Sequence, residues 1–156
     1  MYKLHRRRDL MTFRGCIAAV VLSAGFASAA LAHSGATGVV KQRMETMKSM
    51  GDTMKQLGAM MQGKQAFDAA IVAGRTSVMK QHAAELPKMF PKGSTQHPSE
   101  ALPKIWESFE AFSKITSELE STSSALGDVK SADALPVAMT AVGKTCKACH
   151  QDYRKP

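Results

Sequence analysis

Cys146-Lys147-Ala148-Cys149-His150, six positions from the end of the chain, most limits what this sequence can become. Two thiols three apart with a histidine directly after them form the attachment signature of c-type haem. The spacing has a mechanical reason. On one helical turn each sulfur can add to one of two neighbouring vinyl groups of the same porphyrin, and the next residue sets its imidazole under the iron. Two thioether bonds make the cofactor part of the chain, and the histidine becomes its proximal ligand. Other uses of the motif fit less well. A redox dithiol asks for a thioredoxin-like βαβ context, and none is visible. A structural zinc site needs four ligands, and no second cysteine pair exists. A plain disulfide would leave His150 accidental. The sequence therefore predicts one covalent haem c per chain, held by Cys146 and Cys149, with His150 on the metal.

The other end of the chain predicts export. Lys3, Arg6, Arg7, Arg8 and Arg14 make a basic start, residues 16–31 are apolar or small, and Ala30-Leu31-Ala32 fits the small-x-small cleavage pattern. Ala27-Ser28-Ala29 is a second cleavage option. The apolar run is too short and too rich in Ala, Ser and Gly for a membrane anchor. The paired arginines hint at twin-arginine export, but their neighbours fit that motif poorly. The expected division is a cleaved signal peptide over residues 1–32 and a single domain over 33–156, with a periplasmic destination. Removing 1–32 takes away five Lys/Arg and one Asp, which leaves 16 basic and 12 acidic residues among 124 and a net charge of +4. No basic run survives in that part, so nucleic-acid binding is not expected. Cys16 leaves too, and only the haem pair remains.

Nothing in residues 33–156 reads as strand. Ala, Met, Leu, Lys, Gln and Glu dominate, and all favour helix. Four helices are expected. The first covers 37–62, with a seam of Val40, Met44, Met47, Gly51, Met54, Gly58 and Met61 stepping by four and three; Gly63 suits its stop. The second covers 66–86, with Phe67, Ile71, Gly74 and Val78 on one stripe and Pro87 at its end. Residues 87–103, with four prolines, form the one long loop. The third covers 104–126, with Ile105, Phe109, Phe112, Leu119 and Leu126 inward and Gly127 following. The fourth covers 131–154 and holds Pro136 near its first turn, where proline is tolerated. The expected fold is all-α: an antiparallel four-helix bundle with the haem near the C-terminal helix.

With these features in place the chain resembles the class II cytochromes c, the cytochrome c-prime family. Four segments carry the resemblance. They are Val40-Lys41-Gln42-Arg43, Phe67-Asp68, Leu102-Pro103-Lys104-Ile105-Trp106, and the run from Cys146 through His150 to Gln151-Asp152-Tyr153-Arg154. It spans residues 36–156. The resemblance implies a haem lodged between the helices, bonded to Cys146 and Cys149 and ligated by His150. It places Met47, four residues after Arg43, on the other side of the iron. It sets Arg43 at a position that approaches a haem propionate and Arg154 at another basic position near the haem. Many family members have no protein sixth ligand and are high-spin; a second, low-spin branch uses methionine.

From periodicity alone no single methionine of the first helix stands out, because a methionine stripe is more often packing than a ligand set. Met44 competes with Met47 on nearly the same face, and His82 is a bis-histidine candidate that reads better as a satisfied, half-buried residue. Met44, Met47 and Met50 also suit Cu(I), but copper leaves the haem motif unexplained. His97 reads as solvated. Trp106 and Tyr153 read as packing residues, each needing a partner for its polar hydrogen. Lys144, Lys147, Arg154 and Lys155 form either a solvated face or a mild docking surface for an acidic redox partner. No acid–base or nucleophile constellation is apparent, so no enzyme is expected. The leading expectation is a one-electron carrier with His150 and Met47 as axial ligands, serving redox partner proteins, without a membrane span once processed, as monomer or homodimer. The alternative is a high-spin cytochrome c-prime that binds NO or CO at an open sixth site.

Overall fold

A computed structural model of the protein describes residues 35–156. The expected signal segment 1–32 and its cleavage sites lie outside the described residues. The described residues form five α-helices: α1 (Gly38–Met61), α2 (Ala69–Glu85), α3 (Lys104–Glu107), α4 (Phe109–Gly127) and α5 (Leu135–Tyr153). Short 3₁₀ turns lie at Leu86–Met89 and Ala132–Ala134. The described residues hold no strand, only one isolated bridge between Ala101 and Arg154. The four long helices form the expected bundle, with α2 packed most extensively on α4, α4 on α5, and α1 on both α2 and α5.

The helix ends follow local chemistry. Gly63, at φ +67°, turns the chain left-handed after α1. Its N–H donates to Met60 O at 3.1 Å and that of Lys64 to Ala59 O at 2.9 Å, a Schellman closure. Asp68 caps α2, its carboxylate accepting from the N–H groups of Ala70 at 2.8 Å and Ile71 at 3.1 Å. Pro136 sits in the first turn of α5, where its missing N–H costs no helix bond.

The structure departs from the sequence expectation in three places. The third helix is broken at Ser108, where the backbone leaves the helical region (φ −133°, ψ 47°) and the hydroxyl bonds Lys104 O at 2.9 Å. Serine side chains compete with helical backbone bonds in this way. The break turns Phe109 outward to 40% exposure, while Phe112 takes the core position at 2%. On α2 the buried stripe is Val72, Thr76, Met79 and Ala83. Ile71 is half-buried, and Gly74 and Val78 face solvent. On α1 the buried stripe is Val40, Arg43, Thr46, Met50, Thr53, Leu57 and Met60. Of the predicted seam Val40 lies in this stripe and the rest on its flank: Met44, Met47, Met54 and Gly58 are half-buried, and Gly51 and Met61 exposed.

In both helices the reason is the same. Threonine can be buried on a helix by returning its hydroxyl to a carbonyl one turn back. Thr53 does so to Ser49 O at 3.1 Å and Thr76 to Val72 O at 2.8 Å. A reading by apolarity alone passes over such positions.

Candidate haem site

The core-facing stripe of α5 runs Leu135, Met139, Val142, Cys146, Cys149 and Tyr153, stepping by four and three. The two cysteines thus continue a line of core residues, and both pack against the core while remaining half-buried. Lys147 and Ala148 between them are exposed, as is His150. Cys146 and Cys149 are free thiols, not a disulfide. Burial raises the pKa of the Cys146 thiol, and burial followed by the proximity of Cys146 and Asp152 pushes that of Cys149 up to about 11. A redox dithiol wants the opposite shift. Among the described residues no group of three or more His, Cys, Asp or Glu side chains is gathered for a metal ion.

His150 is exposed as a residue. Burial of its ring on the protein side is nonetheless the first cause that lowers its pKa; the charge of Arg154 lowers it further and Glu100 acts in the other direction. A more readily neutral imidazole suits metal ligation. Arg154 lies within electrostatic reach of His150 and donates its Nε–H to Glu100 Oε2 at 2.6 Å. Two half-buried thiols on the inward stripe, an imidazole one residue on, and apolar packing behind them suit a covalent haem c.

On α1, Met47 packs against the core, as does Met54 one heptad on. Met44 is half-buried but is not among the side chains packed on that core. His82 sits with Nε2 3.1 Å from Ser49 Oγ, joining α2 to α1, which matches the satisfied half-buried residue expected. Trp106 donates its indole N–H to Phe90 O at 2.9 Å, and Tyr153 Oη lies 3.3 Å from Ser108 Oγ, so both aromatic residues have the partners they need.

Arg43 goes where sequence reasoning did not send it. It is only 6% exposed and points into the 90–103 loop. Nε donates to Met89 O at 3.3 Å. Nη1 donates to Ser94 O at 3.2 Å and Ser99 Oγ at 2.9 Å. Nη2 donates to Met89 O at 3.0 Å and Ser94 Oγ at 2.7 Å. All five N–H groups are engaged, the guanidinium lies 4.0 Å from the Phe90 ring centroid, and burial lowers its pKa. Nothing local signalled this, because the partners lie 46 to 56 residues away in sequence.

Comparison with known proteins bears on the same residues. The family model described as Cytochrome C' matches residues 38–154. A cytochrome c' of Rhodopseudomonas palustris is 35% identical over 137 residues, covering 86% of this chain and 90% of the relative. A cytochrome c-556 of Agrobacterium fabrum is 36% identical over 121 residues, covering 76% and 82%. The solved structure of cytochrome c' from Rhodopseudomonas palustris superposes with a TM-score of 0.72 at 32% identity, over 78% of this chain and 98% of that one. By name these relatives are c-type cytochromes, and Cys146, Cys149 and His150 supply the haem c attachment motif. The family match runs from the first residue of α1 to the residue after α5, the whole bundle, and the chain belongs to the cytochrome c' family.

Proposed function

We propose that this family member is an exported one-electron carrier of the low-spin branch, with His150 and Met47 as the two axial ligands. One observation carries the choice of Met47: of the two competing thioethers, it is the one packed against the core on the helix that packs on α5. When bound, the haem supplies a single-electron couple. Cys146 and Cys149 would anchor it to α5, and His150 on α5 and Met47 on α1 would ligate the metal. Thioether ligation favours the reduced form and raises the potential. Arg154, whose charge lowers the pKa of His150, is paired with Glu100, which acts in the other direction. Among the described residues no helix is long and apolar enough to cross a membrane. That fits a periplasmic carrier released from its signal peptide, meeting redox partner proteins as monomer or homodimer.

Optical and electron paramagnetic spectra of the purified oxidised and reduced protein test the assignment. A low-spin spectrum with a thioether-to-iron charge-transfer band, lost in Met47→Leu and kept in Met44→Leu, is expected. A five-coordinate, high-spin wild type overturns it and gives the sixth site to a small gas ligand.

A further inference from the structure

The loop over residues 90–103 is gripped from both sides. On one side is Arg43, one helical turn before Met47 on α1. On the other is the end of α5, three to five residues beyond His150. There the N–H of Leu102 donates to Tyr153 O at 2.9 Å and the N–H of Lys155 to Glu100 O at 2.8 Å. Arg154 and Glu100 form an ion pair at 2.6 Å. Ser99 joins the two grips. Its Oγ accepts from Arg43 Nη1 at 2.9 Å, and its carbonyl accepts from Lys155 Nζ at 3.2 Å. The loop's own bonds are sparse, chiefly Ser94 N–H to Pro91 O at 3.1 Å, Thr95 N–H to Gly93 O at 2.9 Å and Ser99 N–H to Gln96 O at 2.8 Å. Its shape therefore depends on the side chains that reach into it. Among the described residues no carboxylate is a hydrogen-bond partner of Arg43; carbonyls, hydroxyls and the Phe90 face take up its charge.

We infer that Arg43 is a positioning residue: through Ser94 and Ser99 it staples the helix that carries Met47 to the haem-bearing end of α5, and so sets the register between the two axial ligands. The inference rests on Met47 as sixth ligand. Arg43 acts here through the planar fork of its guanidinium more than through its charge. A lysine keeps the charge but has three N–H groups on a point centre and cannot reproduce five bonds in a fixed plane. That separates this role from a propionate contact, which a lysine largely preserves.

The test uses the holo-protein with Arg43→Lys, Arg43→Gln and the milder Ser99→Ala. Three readouts apply: the low-spin fraction, the rate of carbon monoxide binding to the ferrous protein, and amide exchange in residues 94–102. Both Arg43 variants are expected to lose low-spin character, bind carbon monoxide at least about ten times faster and exchange the loop amides at least about ten times faster. Ser99→Ala follows in the same direction to a smaller extent. Met47→Leu changes the spectrum without faster loop exchange. Arg43→Lys that keeps the wild-type spectrum and loop protection, beside Arg43→Gln that shifts only the reduction potential, overturns the inference in favour of a charge effect. A wild type that is already high-spin overturns the Met47 assignment instead. The staple is then judged by loop exchange alone, and unchanged exchange in both Arg43 variants overturns it.

Discussion

The contact between α2 and α4 and the contact between α1 and the haem-bearing end of α5 are built on different terms. The first is buried and close. Val72, Thr76, Ser123 and Leu126 are fully buried or nearly so, and a Cβ placed on Gly127 would lie 2.8 Å from Thr76 Oγ1. The second region carries half-buried methionines and cysteines packed on the core, and a polar loop bonds both α1 and the end of α5. In the first region side-chain volume decides stability. In the second, chemistry decides function, and the packing tolerates exchange among residues of similar size. The two properties should therefore separate under mutation.

The largest effect is expected at the attachment pair. The double substitution Cys146→Ala/Cys149→Ala removes both thioethers, so acid–organic extraction should strip all haem from that variant and none from wild type. Haem that leaves the wild-type protein cleanly breaks the comparison at its root. Next comes Leu126→Ala in the tight contact. Leu126 is 0% exposed, and a large-to-small change there should cost about 2–5 kcal/mol in denaturant unfolding while the haem spectrum stays unchanged.

Gly127→Ala should cost about 1–3 kcal/mol through overpacking. In a Thr76→Ala background that cost should shrink, because the atom met by the new methyl is gone; equal costs in both backgrounds would place the strain elsewhere. Met47→Leu should have the smallest effect on stability, under about 1.5 kcal/mol, and a large one on the spectrum. A Met47 variant that unfolds like Leu126→Ala would show that the second region, too, is governed by volume.

The sequence made some of this legible, for physical reasons. Covalent attachment needs two thiols and an imidazole at fixed spacing, so Cys146, Cys149 and His150 announced themselves. Helix punctuation is local, so Gly63 and Pro136 fell where their backbone chemistry requires, whereas Asp68, expected inside the second helix, caps it instead. The facing of the helices was less legible. Apolarity pointed to Gly74, Val78 and Phe109, whereas the buried stripes pass through Thr46, Thr53, Thr76, Thr116 and Thr145. Thr145 returns its hydroxyl to Ala141 O at 3.3 Å and Thr116 to Ser113 O at 2.8 Å, which lets polar residues lie inward. Arg43 was the least legible, because its partners belong to a loop that only the folded chain brings near. A resemblance to relatives implies a propionate contact for it; its bonds to Ser94 and Ser99 are partners the sequence did not indicate.

The junction at Ser99 also bears on the order of assembly. It unites residues separated by 56 positions along the chain, on both sides of the loop. Contacts at that separation carry a loop-closure entropy that contacts within a helix do not. The loop has few bonds of its own, so gentle heating is expected to open the clasp before the tightly packed helices part. In the low-spin reading, the colour of the protein should change before its helices melt. Its spectrum would then act as a thermometer for one loop, with the melting of the bundle a separate and later event.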